Sequence, residues 1–228
     1  MKVDRALAYP LAVGTEVRLL GRIKECADLV EPGDRLLDIG CSSGWLAPLV
    51  FLKGFRHYVG VDRTIVGGHP AARDLDFVEG SVFNLPFGGE GFDAVCLFDV
   101  IEHLPKGSEE IALREIRRVL ETKGKLYFST PHASPIHTPL DPVWYLGHRH
   151  YRRATIQRLL RSVGFTVDRM FVAGGTVECL DHIGLLVNKH LLRRPHPQIR
   201  WVNRLIERSH GRDKRLGMTL FAIASRAS

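Results

Sequence analysis

No stretch of the chain approaches the run of roughly 18 apolar residues that a membrane-spanning helix needs. Met1–Pro10 has no long apolar core behind a basic start, so no secretory leader is expected. Cysteine is sparse: Cys26, Cys41, Cys96 and Cys179 are the only four, and none forms a CxxC pair. A disulfide framework is therefore not expected; reduced thiols and a cytoplasmic setting are. Internal repeats and low-complexity tracts are also missing, which excludes a repeat architecture. The GxGxxG spacing that cradles a dinucleotide pyrophosphate does not follow the first strand, which argues against a nucleotide-dependent dehydrogenase.

What remains is an ordinary globular composition, 45% hydrophobic and 25% charged over 228 residues, enough for one domain with an elaboration. The formal charge of +7 is local. Nine Lys and Arg lie between Lys189 and Arg215 against Glu207 and Asp213 alone, so the rest of the chain is formally neutral. A local patch calls for a local explanation.

Periodicity predicts an alternation of strands and helices. Amphipathic spacing predicts a helix over Thr15–Val30, ended by Pro32-Gly33. Apolar runs predict strands at Arg35–Gly40, His57–Asp62, Leu75–Glu79, Phe92–Phe98, Lys125–Thr130, Phe165–Phe171 and Leu216–Ser225. Helices are predicted over Gly44–Lys53, Glu109–Glu121 and Arg153–Ser162, with Pro131–Tyr151 as a long functional loop. The fold class expected is α/β, a Rossmann-like seven-stranded, mostly parallel sheet with helices on both faces and the last strand antiparallel. A helical insertion separates strands six and seven. One domain is expected, divided into an N-terminal helical segment (1–33), a cofactor-binding core (34–172), the basic insertion (173–215) and a final strand (216–228).

Ligands of open α/β sheets bind outside the carboxyl ends of the strands. The turn Asp38-Ile39-Gly40-Cys41-Ser42-Ser43-Gly44 lies there. By itself it reads either as a plain strand–helix connection or as a ligand cradle. Asp38 would repel a phosphate and suits a cationic ligand. Asp62, closing the second strand, is placed to accept both hydroxyls of a ribose.

Four motifs in order carry a family resemblance. Leu36–Gly44 resembles motif I of class I S-adenosylmethionine-dependent methyltransferases. Phe77–Phe87 resembles their adenine-side segment, Phe92–Leu104 their fourth strand with its Glu-His-Leu ending, and Arg114–Leu120 with Lys123–Leu126 the approach to their fifth strand. The resemblance covers roughly residues 30–171, and its type is that of quinone- and glycan-modifying O-methyltransferases. It implies a methyltransferase that uses S-adenosylmethionine and releases S-adenosylhomocysteine. Asp38 and the Gly40, Cys41 and Gly44 backbone would hold the methionine part, Asp62 the ribose, and Arg63 would lie along the adenine. Gly80, Ser81 and Val82 would meet the adenine edge, and Phe98 would line the sulfonium pocket. Two departures stand out. Ser42 replaces a frequent middle glycine, and Ser81 replaces a frequent aspartate.

A hydroxyl acceptor must lose its proton, work suited to a histidine near neutral pKa. His103 is the first candidate base, and His132 and His150 are others. Each of the three is also readable as a helix anchor or loop packing. Asp99, Glu102 and His103 have spacing that could converge on a divalent metal, though metal is not expected.

In the insertion, Asp181–Leu192 carries Ile183, Leu186, Val187 and Leu191 on one side. Over Gln198–Ser209, Arg200, Arg204 and Arg208 form a basic ridge at i, i+4 spacing. It is readable as a solvated cap, or as a surface for an anionic partner such as a membrane face, a lipid-linked glycan or a phosphorylated substrate. The function expected is O-methylation of a small-molecule, saccharide or lipid-linked acceptor. Alternatives are an RNA methyltransferase gripping nucleic acid with the insertion, or a non-catalytic cofactor-binding module. The sequence does not fix the acceptor, the attacking atom or the oligomeric state.

Overall fold

The structure, a computed structural model, describes residues 19–65 and 74–227. The first ten residues and the Thr15–Arg18 part of the expected first helix lie outside them. The strands are β1 (Arg35–Ile39), β2 (His57–Asp62), β3 (Leu75–Glu79), β4 (Phe92–Phe98), β5 (Leu120–Pro131), β6 (Phe165–Ala173) and β7 (Thr219–Arg226). They form one seven-stranded sheet in the order β3-β2-β1-β4-β5-β7-β6. All pairs are parallel except those of β7, which runs antiparallel to both β5 and β6. The expected fold class is thus the observed one. Strand order reverses between β1 and β4, and the crevice for a ligand opens outside their carboxyl ends.

The helices are α1 (Gly21–Leu29), α2 (Ala47–Phe51), α3 (Glu109–Val119), α4 (Arg153–Ser162), α5 (Thr176–Leu186) and α6 (Arg200–Arg208). Burial on both sheet faces explains the near-continuous apolar strands. Leu37, Ile39, Val95, Leu97, Leu126 and Phe128 pack beneath α3 and α4 on one face. Leu36, Tyr58, Cys96, Tyr127 and Phe221 pack with α1 and α2 on the other. In α3, buried Ala112, Leu113, Ile116 and Val119 form the inward stripe. Glu109 and Glu110 in the first turn and Arg117 and Arg118 in the last complement the helix dipole.

Several boundaries differ from expectation. The expected Gly44–Lys53 helix is only Ala47–Phe51, because residues 41–46 are spent on the turn that follows β1. Helix α3 stops at Val119 rather than Glu121, since Leu120 already pairs with Phe92 and starts β5. Helix α5 covers Thr176–Leu186 and passes into a wide π turn at Val187–Leu191, so the apolar side expected over Asp181–Leu192 runs across both. Within the long loop, His132 bridges to Tyr151, so the loop's two ends are stapled together.

Candidate functional site

The site has two adjoining parts, a crevice at the ends of β1–β4 and a cavity beyond β4 and β5. In the crevice, Asp38 pairs in register with Gly60, and Asp62 follows two residues later on β2. Paired residues, and residues two apart, share a sheet face. Both carboxylates therefore leave the same face. Burial, and then the charges of Asp38 and Asp62, push the Cys41 thiol between them well up.

Asp38 is 3% exposed and accepts a hydrogen bond from the Tyr58 hydroxyl at 2.6 Å. Burial raises its pKa to about 7, the Tyr58 bond opposes the rise, and the Asp62 charge adds to it. Asp62 accepts from the backbone N–H of Ser42 at 3.0 Å through Oδ2 and of Arg63 at 2.7 Å through Oδ1. Each oxygen keeps a lone pair for another donor.

The turn is drawn tightly over β2: Gly40 N and Cys41 N both donate to the Val61 carbonyl, at 2.7 and 3.2 Å. Gly40 has φ +76, and a Cβ there would be driven into Val100 Cγ2, so only glycine fits. Ser42, the departure from the family pattern, sits at φ +49, a left-handed conformation that its bond to Asp62 holds in place. The geometry suits a nucleoside-bearing cation: an open backbone turn, a buried carboxylate at its floor and a second with free lone pairs.

Gly80, Ser81 and Val82 follow β3. Ser81 Oγ already accepts from Phe83 N at 3.3 Å, and Val82 is buried. Phe98 ends β4, half-buried against the α1–α2 side of the core. The structure thus brings all ten sequence-identified cofactor positions to the carboxyl ends of β1–β4.

Beyond β4 lies a cavity of about 430 Å³. Its floor comes from Asp99, Glu102 and His103 after β4, its wall from the Pro131–His150 loop, and its roof from α1 and the insertion. Asp99, at φ +54, accepts from Ser129 Oγ at 3.0 Å and pairs with Arg22 at 2.9 Å. Glu102 is buried and accepts from Thr130 Oγ1 at 3.1 Å. Burial, reinforced by Asp99, raises its pKa to about 8. Among the described residues, no group of three His, Cys, Asp or Glu side chains could hold a metal ion.

The three candidate bases part company here. His103 lines the cavity; its ring makes an edge contact with His148 (centroids 4.3 Å apart) and no hydrogen bond among the described residues. Burial, then His148, holds its pKa below the usual value. His150 also lines the cavity, but both ring nitrogens are engaged, Nδ1 with Thr138 Oγ1 (2.9 Å) and Nε2 with Asp141 Oδ2 (3.2 Å). His132 lies elsewhere: its Nδ1 meets the Gly217 carbonyl at 2.9 Å, and its ring lines a separate shallow groove beside Arg152 and Arg153.

Sequence reasoning missed the roof. Glu178, Cys179, His182, Leu185 and Leu186 of α5 face the cavity. Their i, i+1, i+4, i+7, i+8 spacing is one helix face, a signal obscured because that face mixes polar and apolar residues. The α5 roof is fastened by His210, whose Nε2 meets Glu178 at 2.7 Å and whose Nδ1 lies 3.3 Å from Glu25 of α1.

Comparison with known proteins agrees with this architecture. A methyltransferase domain family matches residues 14–169. The ubiquinone biosynthesis O-methyltransferase of Hahella chejuensis is 30% identical over 112 residues, 46% of this chain and 46% of that one. The demethylmenaquinone methyltransferase of Mycobacterium tuberculosis is 25% identical over 194 residues, 85% of this chain and 79% of that one. The chain spans about half the length of the first curated relatives it matches. An S-adenosylmethionine-dependent methyltransferase from Mesorhizobium loti shares the fold with a TM-score of 0.63 at 15% identity, over 90% of this chain and 97% of that one. With the family matching over two-thirds of its length and its motif I turn set at the reversal of a seven-stranded sheet, the chain belongs to the class I S-adenosylmethionine-dependent methyltransferases.

Proposed function

We propose that this protein transfers a methyl group from S-adenosylmethionine to a hydroxyl of a small-molecule, saccharide or lipid-linked acceptor held in the 430 Å³ cavity. The observation that carries the reading is the adjacency of the two parts. The glycine turn with Asp38 and Asp62 ends where β4 begins its exit, and residues 99–103 at that exit floor the cavity.

When bound, S-adenosylmethionine supplies an electrophilic methyl on a sulfonium centre. Asp62 would accept the ribose hydroxyls with its remaining lone pairs. Asp38 would set negative charge against the methionine ammonium, and the Gly40–Gly44 backbone would let the ligand approach closely. Arg63, Gly80, Ser81 and Val82 would hold the adenine. With Ser81 Oγ accepting from Phe83 N, one lone pair and the hydroxyl proton remain for the adenine. Phe98 walls the methyl-bearing end. The division into a core (34–172) and an insertion (173–215) separates cofactor binding from acceptor enclosure.

His103 takes the acceptor proton. Its free ring, and a pKa held low by burial, leave it unprotonated near neutral pH. Transfer would form the oxygen–carbon bond as the sulfur–carbon bond breaks, and the His103 imidazolium would then return its proton to solvent. His150, held by Asp141 and Thr138, positions the acceptor. His132 faces away from the cavity and is left out of the chemistry.

The insertion adds an anionic-surface contact. On α6, Arg200, Trp201, Arg204, Leu205 and Arg208 are all exposed while Ile206 is buried opposite them. A basic ridge beside an apolar row fits the face of an anionic membrane.

The test is a label-transfer search. Cell extract, cofactor carrying a trideuterated methyl and protein are mixed, and mass spectrometry looks for compounds gaining about 17 Da, one trideuteromethyl in place of a hydrogen. Labelling that disappears with His103→Ala supports the proposal. No labelled compound, with the cofactor shown to be bound, opposes it.

A further inference from the structure

The insertion holds a second cavity, of about 470 Å³, lined by Leu185, Arg193, Arg194, Pro195 and His196. Leu185 also lines the 430 Å³ cavity, so the two adjoin across one residue. Neither guanidinium has a carboxylate within ion-pair distance among the described residues, and both side chains are exposed.

The second guanidinium is nevertheless held. Arg194 Nε donates to Asn188 Oδ1 at 2.8 Å. Buried Asn188 donates through Nδ2 to the Gly184 carbonyl at 2.8 Å and lies 3.2 Å from His196 Nδ1. His196 Nε2 meets Asp181 Oδ1 at 3.0 Å. These bonds fit a His196 tautomer with its proton on Nε2 and an accepting Nδ1. The chain Asp181–His196–Asn188–Arg194 thus fixes one edge of the guanidinium through Nε and leaves both terminal nitrogens for a ligand. Arg193 has φ +49, a conformation an L-residue rarely adopts, and lines the same cavity.

We infer that Arg193 and Arg194 form a subsite for a phosphoryl group. Planar guanidinium forks match tetrahedral oxyanions through paired N–H donors. Asp181 is occupied by His196, so its charge is partly screened from the subsite. Resting on the reading of the 430 Å³ cavity as the acceptor site, the inference narrows the acceptor to a molecule whose phosphoryl group sits on the arginines while its hydroxyl end passes Leu185. A soluble phosphorylated compound and a phospholipid headgroup share this chemistry.

The experiment measures binding, not turnover, on the full chain. Wild type, Arg193→Gln/Arg194→Gln and Arg200→Gln/Arg204→Gln are titrated with inorganic phosphate. The same proteins are sedimented with phosphatidylglycerol–phosphatidylcholine vesicles and with pure phosphatidylcholine vesicles. The first double variant should weaken phosphate or anionic-vesicle binding at least about fivefold more than the second, because guanidinium pairing is local while the α6 charges act at a distance. Phosphate binding alone identifies a soluble ligand, and anionic-vesicle binding alone a headgroup; either supports the subsite. Absence of both, or a smaller difference between the double variants, overturns it. S-adenosylhomocysteine is titrated in parallel. If wild type fails to bind it, the methyltransferase reading fails while the phosphate result still stands or falls by itself.

Discussion

Asp38 and Tyr58 meet across the β1–β2 pair, the phenol donating to the carboxylate at 2.6 Å, both buried. With a pKa of about 7, Asp38 is about half ionised in the free protein at neutral pH. A cation bound above it favours the ionised form. Affinity for S-adenosylhomocysteine, which keeps the ammonium, should therefore rise as pH passes upward through about 7 and level off beyond. Calorimetry in buffers of different ionisation enthalpy should detect proton release below that pH. In Asp38→Asn both the rise and the release should vanish.

The motif I turn should respond in opposite directions to two substitutions. Ser42→Gly relieves a left-handed residue at φ +49 and should stabilise the fold by about 1 kcal/mol, less the extra freedom of glycine in the unfolded chain. Gly40→Ala forces a Cβ into Val100 at φ +76 and should cost about 2 kcal/mol or more, with loss of cofactor binding. Urea denaturation measures both.

His103→Ala should lower turnover by roughly 10²–10⁴ while leaving S-adenosylhomocysteine affinity intact, as removal of a general base does. The acid limb of the pH–rate profile should lie below the ordinary histidine value, because burial and then His148 depress the His103 pKa. His148→Gln removes the second cause, so that limb should move to higher pH.

The roof latch is pH-sensitive. Burial opposes charge on His210, but its hydrogen bond to Glu178 and the neighbouring Glu25 carboxylate raise its pKa to about 9. An unfolded histidine titrates near 6.5. The latch therefore contributes fully below about pH 6.5 and is lost as pH rises through 9. Between those limits wild type should lose on the order of 2 kcal/mol more stability than His210→Gln, measured by denaturant titration at each pH.

Much of this was legible in the residues. Apolar runs closed by Gly or Asp marked β1, β2 and β4 because strands buried on both faces carry few polar residues. Helix α4 was readable to its ends, since Ile156 and Leu160 repeat at helical spacing and Gly164 stops it. The Asp38–Asp62 juxtaposition follows from strand register once the two strands are neighbours. The cavity-facing side of α5 was not legible because Glu178 and His182 break its apolar stripe. The histidines could not be sorted from sequence. What separates inward His150 from outward His132 is the His132–Tyr151 bridge and the Gly217 carbonyl, contacts between distant segments. Arg22 and Asp99 pair across the molecule, and no local pattern announces it.

The most direct test is calorimetric titration of the folded protein with S-adenosylhomocysteine, alongside Asp62→Ala. One site per chain is predicted, with affinity reduced at least about tenfold in the variant, the loss expected when hydrogen bonds to a charged group are removed. Folded wild-type protein that binds neither S-adenosylhomocysteine nor S-adenosylmethionine would contradict the account.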